Sequence, residues 1–178
     1  MDIETLKARV IEEVDRESSR LKELSLNIHS NPEPGFNEFK AADWLTGYLK
    51  ERGLSVERAF CGLPTAFRAK YGHGKPAVAL LAEYDALPEL GHACGHNLIA
   101  GIAVGAAVAA RPAVDQCQGT IVAIGTPAEE LYGGKVTMVN HGAFNNLDAA
   151  MMVHPGTRDN VVTSALACQN LDVEFFGR

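Results

Sequence analysis

Apolar positions in the first thirty residues recur at helical spacing. Leu6, Val10, Val14, Leu21, Leu24 and Ile28 are separated by three, four or seven residues, with Glu12, Glu13, Arg16 and Arg20 between them. This pattern predicts an amphipathic helix over about 2–28, lying on the outside of a core. It breaks at Asn31-Pro32-Glu33-Pro34-Gly35, where two prolines lack a backbone donor and restrict the residues before them. A second helix is predicted from Asn37, a candidate N-cap, through Ala41, Leu45 and Leu49, with Gly53 as its stop.

Beyond Gly53 the period shortens to two. β-like runs are read at Leu54–Arg58, Thr65–Tyr71 and Ala77–Tyr84, the last two separated by Gly72-His73-Gly74-Lys75-Pro76. Val78-Ala79-Leu80-Leu81-Ala82 is apolar on both faces and belongs inside a sheet covered on two sides. A turn around Cys94 follows, then an alanine-rich helix Leu98–Ala110, a strand Thr120–Gly125, a carboxylate loop, a helix from about Gly133 to His141, and a strand Ala149–Val153. Gly101 and Gly105 would let that alanine-rich helix approach the sheet closely. The alternation predicts an α/β fold: a three-layer sandwich with a mixed, largely parallel sheet flanked by helices. From Val161 the chain again reads as β, through Ser164–Ala167 and Leu171–Phe176. No internal repeat, low-complexity segment or linker interrupts this order.

Composition narrows the picture. A chain of 178 residues with 47% hydrophobic and 21% charged positions forms a real core and is not disordered. The formal charge of −6 is spread out, without a Lys/Arg cluster, so nucleic acid is not expected and a small-molecule substrate fits better. The N-terminus has neither a basic, then apolar, export pattern nor an acylation motif, so a cytoplasmic location is expected by default. Cys61, Cys94, Cys117 and Cys168 are far apart and read as free thiols of a reducing compartment. The apolar run Leu98–Ala110 is shorter than the roughly 18 residues a bilayer requires, so no membrane association is expected.

The chemistry gathers where such sheets bind ligands, outside the carboxyl ends of strands. Asp85, the pair Glu129-Glu130, and His154 each follow a predicted strand, and Gly91-His92-Ala93-Cys94-Gly95-His96-Asn97 sets a thiol and an imidazole on either side of a glycine. Thiolate, imidazole and carboxylate together suit Zn²⁺, with Mn²⁺, Co²⁺ or Ni²⁺ open, and are too mixed a set for calcium. Adjacent Glu129 and Glu130 are expected to point in different directions, one toward metal and one over a substrate. An ion lowers the pKa of a bound water to about 7, and a neighbouring carboxylate can move its proton. Two ions about 3.5–4 Å apart need more ligands than four side chains supply, so the set is one short.

Taken singly, each group has a plain explanation: an inert thiol, a solvated acidic pair, a hydrogen-bonded core histidine. Their joint placement at strand ends favours the metal reading. Two other motifs fail on spacing. His92 and His96 are four apart without the glutamate of a zincin helix, which leaves His92 a packing or supporting residue. Gly133-Gly134-Lys135 lacks the glycine and hydroxyl of a phosphate loop. His29, His73 and His141 carry no partner pattern. The alternatives are a non-catalytic domain with a structural or incomplete metal site, and a Cys94-dependent covalent hydrolase.

Four segments carry a family resemblance. Ala82-Glu83-Tyr84-Asp85-Ala86-Leu87-Pro88, the Gly91–Asn97 stretch, Gly125-Thr126-Pro127-Ala128-Glu129-Glu130 and Met152-Val153-His154-Pro155, with Asn31–Phe36 before them, resemble the di-metal aminoacylase and carboxypeptidase amidohydrolases. The resemblance implies that Cys94, His96, Glu130 and His154 bind metal, that Glu129 is the general base, and that Asp85 supports a neighbouring ligand. It implies two divalent ions per intact site, Zn or Mn with Co or Ni open, and hydrolysis of a small N-acyl amino acid, aminobenzoyl-glutamate-like compound or dipeptide. Asn97, where the indole-acetyl-amino-acid and hippurate branch usually has Asp, points to the aminobenzoyl-glutamate hydrolase and dipeptidase branch. Members are about twice this length. Residues 1–178 are therefore expected to be the N-terminal part of the metal-binding catalytic domain, without the lid through which intact members form homodimers and without the return segment bearing the last histidine ligand.

Overall fold

A computed structural model of the chain describes residues 2–161 and 173–177. Helix α1 (Ile3–Ser30) opens on Asp2, whose carboxylate accepts the Thr5 backbone N–H at 3.0 Å. Its apolar stripe is used unevenly. Leu24 and Ile28 are buried and Leu21 packs against the core, whereas Val14 is exposed. Helix α2 (Phe39–Glu51) starts later than its sequence signal: the Asn37 side chain turns back to the Gly35 carbonyl at 3.3 Å. The first N–H groups of α2 are instead received by Glu33, from Lys40 at 2.9 Å and Ala41 at 3.1 Å. A carboxylate from the preceding loop thus does the work of an N-cap.

The sheet contains β1 (Ser55–Arg58), β2 (Phe67–Gly72), β3 (Ala77–Ala82), β4 (Thr120–Gly125) and β5 (Ala149–Met151), in the order β1-β2-β4-β3-β5. β3 pairs in parallel with β4 and β5; β2 is antiparallel to β4, and β1 to β2. The sheet is mixed, and all strands except β2 run in one direction. Helices α3 (His96–Ala109), α4 (Arg111–Cys117), α5 (Glu129–Tyr132) and α6 (Gly134–Asn140) complete the set. Period-2 alternation along β4 divides the core. Ile121 and Ala123 join Leu45, Val104 and Val108 on the side of α1 to α4, while Val122 and Ile124 meet Phe60 and Met138 of α6 on the other. These are the three layers, with β4 buried along its whole length.

Some elements differ from expectation. Gly101 and Gly105 face α1 rather than the sheet: a Cβ at Gly105 would lie 2.6 Å from Leu21 Cδ1. Helix α4 has no amphipathic signature, since Val114 alone is buried in it, and it is opened by Pro112 in its first turn. The helix expected from about Gly133 to His141 is α6, while the stretch expected as a carboxylate loop contains the short helix α5, set off from α6 at Gly133 with φ 57°. The predicted strands at Val161–Ala167 and Leu171–Phe176 lie outside the described residues except for Val161 and Val173–Phe176, which are exposed and carry no strand. No single helix among the described residues is long and apolar enough to cross a membrane.

Candidate metal centre

Because β3, β4 and β5 are parallel, their carboxyl ends share one edge of the sheet. Ala82 and Gly125 are paired at that edge. Glu83, Tyr84 and Asp85 leave β3 there, Thr126 to Glu130 leave β4, and His154 follows β5. Opposite them, Gly95 begins α3 in the left-handed region at φ 77°, and a Cβ there would stand 2.9 Å from Pro155 Cγ. Only glycine meets both conditions without strain. Its successor His96 is delivered, almost fully buried, into the strand ends.

The two nitrogens of His96 have opposite surroundings. Nδ1 is 2.9 Å from Asp85 Oδ1 and 3.0 Å from the Asp85 carbonyl, both acceptors, so Nδ1 carries the proton and donates. A neutral ring then turns a lone pair outward at Nε2. That atom has no hydrogen-bond partner among the described residues, yet Glu83 Oε2 and Glu130 Oε1 each lie 3.4 Å away and Glu129 Oε2 3.8 Å. A lone pair facing three carboxylate oxygens requires a positive charge between them. Burial opposes the imidazolium, but Asp85, Glu83 and Glu130 outweigh it and raise the His96 pKa. A divalent ion answers the same demand. Donors held on one ion at about 2.0–2.2 Å in a tetrahedron stand about 3.3–3.6 Å apart, the spacing found between Nε2 and the nearer carboxylates.

Two overlapping groups have donor atoms mutually within 4.8 Å: Glu83, His96 and His154, and His96, Glu129 and Glu130. His154 is exposed, stands edge-on to His96 with centroids 5.9 Å apart, and donates through Nδ1 to the Pro155 carbonyl at 2.8 Å, which leaves Nε2 for a ligand. Glu129 and Glu130 open α5 and both reach toward His96, rather than diverging as adjacent loop residues. Burial, then Glu83 and Glu130, raise the Glu129 pKa. Asp85 is drawn the other way: burial would raise it, but the His96 hydrogen bond and the Glu130 backbone N–H at 3.0 Å bring it below the usual carboxylate range. Cys94 is half-buried and falls outside both groups. The Glu130 carboxylate beside it, together with burial, pushes its pKa up to about 11. Without a cation beside it this thiol stays protonated, contrary to what a cysteine nucleophile requires. His92 is buried and stacks on His29 at 6.3 Å.

Three contributors are not evident from the sequence. Glu83 is buried, with Oε1 accepting from Lys135 Nζ and Oε2 without a hydrogen-bond partner among the described residues. Its one signal is its place two residues before Asp85, on the same side of an extended strand end. Lys135 belongs to no motif beyond the phosphate loop that fails on spacing. Glu38, fully buried, accepts from Thr65 Oγ1 at 2.7 Å and from the Ala128 N–H at 2.8 Å. It pins Ala128, held at φ 57° immediately before Glu129, a conformation uncommon for a residue with a Cβ.

A buried imidazole nitrogen without a hydrogen-bond partner among the described residues, with carboxylate oxygens around it, fits a divalent ion. Fold and donor cluster together define an α/β domain with a candidate divalent-metal centre at its strand ends. Residues 79–176 match the model of peptidase family M20/M25/M40, and the chain belongs to that family. It is 39% identical over 192 residues to the Xaa-Arg dipeptidase of Mus musculus, covering 99% of this chain and 44% of that protein. It is 37% identical over 161 residues to a subunit of the p-aminobenzoyl-glutamate hydrolase of Escherichia coli, covering 80% of this chain and 34% of the relative. Among solved structures, a dinuclear metal-binding peptidase of the M20 family from Bacillus subtilis superposes with a TM-score of 0.66 at 26% identity, over 74% of this chain and 41% of the other. The chain thus spans less than half the length of these relatives.

Proposed function

We propose that this chain is the N-terminal part of the catalytic domain of a metal-dependent amidohydrolase that cleaves the amide of a small N-acyl amino acid, an aminobenzoyl-glutamate-like compound or a dipeptide. The observation that carries the reading is His96 Nε2, buried and without a hydrogen-bond partner among the described residues, with carboxylate oxygens at 3.4 Å. Cys94, His96, Glu130 and His154 are the proposed ligands, for Zn²⁺ or Mn²⁺ with Co²⁺ and Ni²⁺ as substitutes, and two ions in the intact site. Bound there, a divalent ion would lower the pKa of water from 15.7 to about 7.

The protein's own groups take the remaining roles. Asp85 fixes the tautomer and orientation of His96. Glu129 is the proposed general base, taking a proton from the attacking water and returning it to the leaving nitrogen; its partial exposure, its raised pKa and its 3.8 Å approach to His96 Nε2 support that role. Glu38 and the Ala128 backbone hold the turn from which Glu129 projects. The names of the relatives, a dipeptidase and an aminobenzoyl-glutamate hydrolase, support small amide substrates. The test is hydrolysis of a panel of dipeptides, acyl-amino acids and p-aminobenzoyl-glutamate with added Mn²⁺ or Zn²⁺, by the native protein and by Glu129→Ala. Metal-dependent turnover abolished by Glu129→Ala is expected; turnover unaffected by chelation or by the substitution would refute the reading.

A further inference from the structure

We infer that Glu83 is itself a metal ligand, binding through Oε2 while Lys135 holds Oε1. The inference rests on the metal-site reading and extends it to a residue outside the set Cys94, His96, Glu130 and His154. Glu83 is 1% exposed, and its two oxygens are treated differently. Oε1 is engaged by Lys135 Nζ. Among the described residues Oε2 has no hydrogen-bond partner; it is shielded from solvent and faces His96 Nε2 at 3.4 Å, an atom equally buried and, among the same residues, equally without a partner. A buried carboxylate whose only purpose was to pair with Lys135 would leave no oxygen orphaned beside a nitrogen lone pair, because an unmade buried acceptor is costly. Two orphaned donor atoms of opposite residue type at a ligand–ligand spacing are what one shared cation satisfies.

Position and charge agree with this. Glu83, His96 and His154 bring donor atoms within 4.8 Å of one another from β3, α3 and the segment after β5. A ligating carboxylate is ordinarily hydrogen-bonded at its other oxygen, the part Lys135 takes, so the ion would enter without moving the pair. Glu83 brings the candidate donors in this chain to five, which relieves the shortage of ligands for a two-ion site.

The probe is Co²⁺ bound to the purified protein, read as a dissociation constant by chelator competition and as the visible ligand-field spectrum. In Glu83→Gln, Lys135 claims the amide oxygen and the NH₂ faces the ion. Co²⁺ is expected to bind more than 100-fold more weakly with an altered spectrum, beyond the roughly 10–100-fold that losing a group behind a ligand costs. Lys135→Met keeps Glu83 and is expected to lose about 10–100-fold with the spectrum retained. If the native protein binds no Co²⁺, the metal-site reading itself fails. If the native protein binds and Glu83→Gln matches it in affinity or in spectrum, Glu83 is not a ligand and the metal reading stands without it. Should Glu83→Gln fail to fold by circular dichroism, Lys135→Met decides, and an unchanged affinity there overturns the inference.

Discussion

At His96 one ring nitrogen is committed to Asp85 and the other is left facing carboxylates, and the proposal that the residue is a ligand rather than a core histidine rests on this asymmetry. Asp85→Asn removes the charge that fixes the ring and should weaken Zn²⁺ or Mn²⁺ binding about 10–100-fold by chelator competition; an unchanged dissociation constant would contradict the supporting role. Glu129→Gln should lower kcat/KM by about 10²–10⁴ while metal content holds, since a general base acts on the reaction and not on the ion. The clustered groups legible in the sequence are those that stand out locally: His96 after a glycine, Glu129-Glu130 and His154 after apolar runs, whereas Cys94 stands out equally and lies outside the donor groups. Glu83, Lys135 and Glu38 are not legible, because their meaning lies in contacts across the fold. Lys135 meets Glu83 over 52 positions and Glu38 meets Ala128 over 90. No local pattern encodes such a pairing.

Among the elements, helices α1 and α2 are joined by a clamp whose residues give no sequence signal. Glu17 accepts from Arg52 Nε and Nη2, each at 2.9 Å, and from the Tyr48 hydroxyl at 3.2 Å. The Arg52 hydrogen bonds hold the Glu17 carboxyl below its usual value of 4.5. A depressed carboxylate stabilises the fold above the unfolded value and loses that contribution as pH falls through the folded one. Glu17→Gln should therefore melt earlier than the native protein at pH 7, by an amount equivalent to about 1.5–3 kcal/mol, with the gap closing as thermal melts are taken below pH 4.5. A gap independent of pH would contradict the clamp. Gly105→Val drives a side chain into Leu21 and should cost about 1–3 kcal/mol in urea titration; no change in midpoint would show that α1 and α3 do not pack as described. Helix and strand order is readable because periodicity reports burial. The α2 cap is not, since Glu33 reaches it from the preceding loop, and α4 is not, since Val114 alone of its residues is buried.

Over the whole molecule, sheet topology does the assembling. Parallel β3, β4 and β5 bring residues distant in the chain to one edge, and α3 starts there with His96 as its first residue. The same topology leaves β5 at the border of the sheet, its residues exposed, in a chain that spans 44% of the Xaa-Arg dipeptidase it matches. The direction of strands is legible from alternation with helices, while the antiparallel placement of β2 is not, because connection length alone does not fix which neighbour a strand takes. The central claim, that this strand-end cluster holds a divalent ion, is tested most directly by metal analysis of the purified protein after equilibration with Zn²⁺ or Mn²⁺, beside His96→Ala. The account predicts at least one tightly held ion per chain, lost in His96→Ala; no bound ion, or the same content in both proteins, would contradict it.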